Sequence, residues 1–183
     1  MRFKASQLHL VGPLLSTSHE NPVANTVLLE FPDPCERAQM PVRVIGTVFR
    51  RRNQVGDFVY MIKSKEYKDA LFIFNDNEAD HCSDVPGGGN AAIRPYNRFS
   101  AVFPPRSAGI PTGDCGGYTS LTPKAKATID AAVDEIRALI QELGYSRVFF
   151  SADEDGKLGT SIFSIGDDVR DYITEQILSL ETP

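Results

Sequence analysis

Residues 70–74 read Ala-Leu-Phe-Ile-Phe, and no other segment limits the fold as tightly. A strand with one face in water alternates polar and apolar positions. A run that is apolar at every position needs cover on both faces, which is the situation of an interior strand in a parallel sheet. The run ends abruptly in Asn75-Asp76-Asn77, and a long connection then leads to Gly87-Gly88-Gly89. A buried strand that stops at polar residues and a glycine run puts a loop of unusual chemistry at its carboxyl end.

The rest of the chain supplies partners for such a strand. Thr122 is a good N-cap with Pro123 at the first helical position, where its missing N–H costs nothing. Ile129, Val133, Ile136 and Ile140 fall on one face of the helix that follows, and Gly144 stops it. Val148–Phe150 is a second buried strand. Ser107–Ile110 reads as a short strand and Ser161–Ile165 as another. Asp167 reads as the cap of a last helix, with Val169, Tyr172, Ile173, Ile177 and Leu180 facing inward. Before residue 65 the texture is β with irregular connections. Val27–Phe31 is a strand closed off by Pro32-Asp33-Pro34, and Val42–Arg51 and Phe58–Ile62 are strands joined by a hairpin turn over Asn53–Asp57. The expected architecture is one domain over residues 1–183. It has an N-terminal β-rich segment (1–65) and an α/β core (66–183), with helices covering a mixed sheet.

Composition excludes several classes. The chain has 183 residues, 42% apolar and 23% charged, which suits a folded domain. The net charge of −5 argues against general nucleic-acid binding, which draws on an excess of Lys and Arg. The one tight basic cluster, Arg50-Arg51-Arg52, reads as a solvated hairpin end. Cys35, Cys82 and Cys115 match no zinc or redox spacing, and no leader-like segment is evident, so free thiols in a reducing cytoplasm are expected. His9, His19 and His81 are too scattered to suggest a metal site. No apolar run approaches the roughly 20 residues of a membrane span. No cofactor is called for, and self-association is left open.

Three loops carry the candidate chemistry. The first runs from Asn75, Asp76 and Asn77 to Gly87, Gly88, Gly89, Asn90 and Ala91, where backbone N–H groups and the start of a short helix offer an anion site. The second is Ser107–Gly113, with Thr112 offering a hydroxyl and Gly113 an amide. The third spans Asp153–Phe163, where Gly159, Thr160 and Ser161 offer amides and hydroxyls, with Ile162 and Phe163 beside them. There is no GxxxxGK[ST] loop, no GxGxxG opening a long helix and no GxSxG elbow.

On these residues the chain resembles the macro domain family. The corresponding pieces, in the same order, are Phe74-Asn75-Asp76-Asn77, Gly87-Gly88-Gly89-Asn90-Ala91, Ile110-Pro111-Thr112-Gly113 and Gly156–Phe163. It also looks like a group of phage proteins with an F-x-D-N strand end and a downstream G-I-P-T. The likeness covers roughly residues 68–180. It implies a three-layer α/β/α fold and a cleft for ADP-ribose or a related nucleotide. In that picture Asp76 or a neighbouring acid meets the adenine or a ribose, the two glycine-rich loops hold the phosphates, and Asn75 and Asn77 face the distal ribose. It departs from the family in a longer first loop, in Gly-Gly-Gly-Asn-Ala for the tight G-x-G-V segment, and in its first 65 residues.

Two functions follow from the resemblance. One is a nucleotide-binding module without chemistry, which in a phage protein would sequester a defence nucleotide in the host cytoplasm. The other is a hydrolase of an ADP-ribosyl bond, with Asp76 and Asn77 as the residues that orient or activate water.

Overall fold

The computed structural model describes residues 41–114, 116–160 and 163–183, all within one compact unit. The strand expected over Val27–Phe31, along with His9, His19, Cys35, Cys115, Ser161 and Ile162, lies outside the described residues.

Among the described residues four strands form one sheet: β1 (Arg43–Thr47), β2 (Ala70–Asn77), β3 (Ser107–Gly113) and β4 (Arg147–Ser151), in the order β1-β4-β2-β3. Every pairing is parallel, so among the described residues the sheet is not mixed as expected. Antiparallel contacts are confined to isolated bridges, Val42 with Thr182 and Ala152 with Leu158. The physical reason is the sequence of crossovers: each strand is followed by helical turns that return the chain to start the next strand at the same end. All four carboxyl ends therefore lie on one edge. The two continuously apolar strands, β2 and β4, are the interior ones, as their composition requires.

Residues of β2 alternate between two cores. Leu71 and Ile73 belong to one with Ala108, Ile110, Val148 and Phe150, while Ala70, Phe72 and Phe74 belong to the other with Phe149. The first core is closed by helix α2 (Pro123–Leu143) and helix α3 (Asp167–Leu178). Ile129, Val133, Ile136 and Ile140 are all buried there, with Val169, Ile173 and Ile177. Each such side chain stabilises by about 1.5–3 kcal/mol when taken fully out of water. Thr122 caps α2, its hydroxyl accepting the Ala125 N–H at 3.1 Å, and Gly144 ends it. The cap of α3 is Gly166 rather than Asp167, which is the first helical residue. Asp168 instead turns its carboxylate to the Leu121 and Val169 N–H groups.

The second core is aromatic. Phe72 stacks on Phe149 with centroids 5.3 Å apart, and Phe58 and Tyr67 meet this pair edge-on. Phe58 comes from a segment expected to be a strand. Phe58–Met61 is instead a short helix, α1, and Asn53–Asp57 is the turn into it rather than a hairpin. Asp57 decides the matter by accepting the Val59 N–H at 3.0 Å, an N-cap bond that a strand would not make. Residues 41–65 are thus part of the α/β unit, since β1 pairs with β4 along its length. Phe163, Ser164 and Ile165 are not in a strand.

Candidate functional site

Parallel strands leave their ligand crevice beyond their carboxyl ends, and a cleft of about 660 Å³ opens there. Its walls come from the exits of three strands. Phe49, Arg52, Asn53, Gly56, Asp57, Phe58 and Val59 follow β1; Asn75, Gly89, Asn90 and Ala92 belong to β2 and its loop; Ser151, Gly159 and Phe163 belong to β4 and its loop. A volume of this order suits a small organic ligand.

Asn75 ties the first and third loops together. Its backbone N–H donates to Asn90 Oδ1 at 3.2 Å, and its side-chain Nδ2 donates to the Gly159 carbonyl at 2.7 Å. Loops separated by 84 positions in sequence are joined by one half-buried amide. Gly89 opens a 3-10 helix (Gly89–Tyr96) whose preceding residue, Gly88, gives no side-chain cap. The N–H groups of the first turn have no partner within such a helix, and both Gly89 and Asn90 line the cleft. The Gly159 amide is engaged: its N–H donates to the Ser151 carbonyl at 2.8 Å and its carbonyl accepts from Asn75. It shapes the cleft and is not a phosphate donor, contrary to the expectation for this loop.

The other expected residues divide sharply. Gly88 is exposed with open space around it, and Gly87 and Ala91 close a turn on each other through a 3.0 Å bond from the Gly87 N–H to the Ala91 carbonyl, so none of the three lines the cleft. Thr112 and Gly113 are buried within β3, and the Thr112 hydroxyl donates to the Asp76 carbonyl at 3.1 Å. Thr160 lies beside the cleft without lining it, and its carbonyl accepts the Phe163 N–H. Asn77 is half-buried, with its N–H on Asp76 Oδ1 and its amide 3.4 Å from Asp80 Oδ2.

Asp76, expected in the ligand site, stands apart from the cleft. It is 3% exposed and does not line the cleft. Its Oδ1 accepts from Arg94 Nε at 3.1 Å, from Arg94 Nη2 at 2.5 Å and from the Asn77 N–H at 2.9 Å. Arg94 is itself buried and also donates to the Val85 carbonyl at 2.8 Å. The carboxylate lies over Gly109, where a Cβ would come within 2.3 Å of Oδ2, so β3 needs a glycine at that point. His81 Nδ1 stands 3.6 Å from Oδ2, just beyond hydrogen-bond length, and its Nε2 stands 3.7 Å from Glu135. Chiefly through the Asp76 carboxylate, opposed by burial and helped by Glu135, the imidazole is held above its ordinary pKa. Asp76 is the anchor of a buried ion-pair ladder. Sequence position could not separate this role from a catalytic one, because both place an Asp at the end of a buried strand.

The residues missed in sequence are those after β1. A recognisable signal was present: Asp57 before Phe58, Met61 and Ile62, an N-cap followed by apolar residues at helical spacing. Phe49 and Phe163 offer aromatic surface, Phe49 being exposed at the mouth. Among the described residues there is no cluster of three His, Cys, Asp or Glu side chains suited to a metal ion, and no helix long and apolar enough to cross a membrane. No protein-family model, curated protein or solved structure matches the chain.

Proposed function

We propose that the chain is a binding module for a phosphate-bearing nucleotide of the ADP-ribose type, held in the cleft at the carboxyl ends of the strands. The observation that carries the reading is that Gly89 and Asn90, at the start of a helix with no side-chain cap, line that cleft together with the aromatic side chains of Phe49, Phe58 and Phe163. Backbone N–H groups at a helix start hold a phosphate without a lysine. This suits a chain whose net charge is −5. Phe49 and Phe163 supply flat apolar surface for a base. Asn75 holds the two loops at a fixed separation, which lowers the cost of ordering them around a ligand. In this reading the sheet is the middle of a macro-like three-layer α/β/α arrangement. If the chain acts in a phage-infected cell, the module sequesters a host nucleotide.

Binding is favoured over hydrolysis by the carboxylates. Asp76 is buried and does not line the cleft, and Asp57, the one carboxylate among the described lining residues, is held in its turn by two backbone N–H groups. A general base must stand within hydrogen-bond reach of the water it activates and be free to move toward it.

A thermal-shift panel of ADP-ribose, NAD, ATP and cyclic dinucleotides tests the reading. A ligand at 100 times its dissociation constant adds about 2.7 kcal/mol, or about 5–10 °C for a chain of this size. A shift with at least one of the four, without conversion of that ligand on prolonged incubation, supports a binding module. Conversion supports the hydrolase instead, and no shift with any of them refutes the nucleotide cleft.

A further inference from the structure

The segment between β1 and α1 carries three successive arginines, of which two are engaged. Arg50 Nη2 lies 3.1 Å from Glu154 Oε2, and Arg51 Nε donates to Gln54 Oε1 at 2.7 Å. Arg52 lines the cleft and has no hydrogen-bond or ion-pair partner among the described residues. It is also the one cation among the described lining residues.

The turn that presents Arg52 is tightly specified. Asn53 takes φ +61° and Gly56 φ +95°, two left-handed residues within four positions. Asp57 holds them: its Oδ2 accepts the Asn53 N–H at 2.8 Å, its Oδ1 accepts the Val59 N–H at 3.0 Å, and its own N–H donates to the Gln54 carbonyl at 3.0 Å. A Cβ at Gly56 would stand 2.2 Å from the Val48 carbonyl oxygen, so the turn is pressed against the exit of β1. Sparsely populated backbone, over-determined by its surroundings, collects at ligand clamps. A solvated arginine needs no such support, whereas an arginine that must meet a ligand in one place does.

Charge gives the same answer. Backbone N–H groups at Gly89 and Asn90 carry partial charges and discriminate weakly between one anionic group and two. A guanidinium carries a full charge in a planar fork that fits phosphate oxygens. On a chain with a net charge of −5 it is the group that makes the cleft attractive to a second anion.

We propose that Arg52 is the charge-selecting residue of the cleft, pairing with a second phosphate of a nucleotide whose first phosphate lies on the Gly89 and Asn90 N–H groups. The preferred class is then a nucleotide with two phosphates, over a monophosphate or a neutral nucleoside. This rests on the nucleotide-binding reading above and adds to it the selectivity.

Calorimetric titration of ADP-ribose, AMP and adenosine into wild-type protein, Arg52→Gln and Arg52→Lys tests it. Arg52→Gln weakens ADP-ribose about tenfold, as loss of a charge-assisted contact at an exposed site implies. It changes AMP and adenosine less than twofold, and Arg52→Lys falls between wild type and Gln for ADP-ribose. The melting temperature without ligand stays within 1–2 °C of wild type, about the change expected of a surface substitution. The proposal is overturned if ADP-ribose binds wild type and Arg52→Gln equally, or if all three probes weaken by the same factor. If none of the three binds the wild-type protein, the nucleotide cleft itself is refuted and the selectivity falls with it.

Discussion

Replacing Asp76 with Ala separates a structural carboxylate from a catalytic one. In the folded protein Asp76 Oδ1 accepts three N–H bonds, two from Arg94 and one from Asn77. The two side chains are 3% and 4% exposed, so neither is rescued by water. Removing one partner of a buried ion pair costs about 3–5 kcal/mol, because the remaining charge is left without compensation. Arg94 would keep the Val85 carbonyl as its hydrogen-bond acceptor and the half-exposed Asp80 carboxylate, 3.8 Å from Nη2, as its remaining ion-pair partner. At about 2–4 °C per kcal/mol for a chain of this size, the melting temperature should fall by about 6–20 °C. Asp76→Asn keeps an acceptor and should fall less. Adding Arg94→Met to Asp76→Ala removes the stranded charge and should recover part of the loss, a coupling that a double-mutant cycle by urea denaturation measures directly. The reasoning is refuted if Asp76→Ala unfolds at the wild-type urea midpoint. A loss of ligand turnover at unchanged stability would restore Asp76 to a catalytic role.

Three further outcomes are expected. Ile136→Ala, at a position 1% exposed in the core under α2, should lower stability by about 2–5 kcal/mol in urea titration. Gly89→Val puts a branched side chain at φ +57° on the cleft wall, so it should weaken nucleotide binding in calorimetry more than Gly88→Val, which has open space around it. Stability should decline at both ends of the pH range. His81 is raised by Asp76, so its contribution is complete below the ordinary histidine value of about 6.5 and is lost as pH rises through its folded value. Asp69 is lowered to about 2, chiefly by the Arg147 guanidinium, so its contribution is present above its ordinary value near 4 and is lost as pH falls toward about 2. Melting curves against pH check both, with His81→Gln flattening the alkaline arm and Asp69→Asn the acid arm.

The parts of the fold that could be read in sequence were those where composition alone decides. A strand apolar at every position has to be interior, which located β2 and β4, and a Thr-Pro start with an isoleucine stripe and a closing glycine specified α2. The segment after β1 could not be read in this way. Phe-Val-Tyr-Met is as good a strand as a helix, and its helical state draws on Asp57, whose side chain accepts the Val59 N–H and whose carbonyl accepts that of Met61. The candidate cleft divides along the same line. Asn75, Gly89, Asn90 and Gly159 were legible as polar or glycine residues at or beyond the ends of buried strands, with Phe163 beside the last of these loops, and parallel pairing brings them to one edge. The burial of Asp76 was not legible, because it depends on Arg94, 18 positions away, folding back over the strand end. Nor was the contribution of Phe49, Arg52 and Asp57, which reach the cleft only because β1 pairs beside β4.

The central claim is that the uncapped N–H groups at Gly89 and Asn90 hold a nucleotide phosphate. A ¹⁵N-resolved titration of the protein with ADP-ribose reads those two amides individually. The account predicts that both resonances move with a common saturable dependence on ADP-ribose, together with the Asn75 side-chain amide. It is contradicted if ADP-ribose reaches saturation elsewhere on the protein, or fails to bind at millimolar concentration, while the Gly89 and Asn90 amides stay where they were.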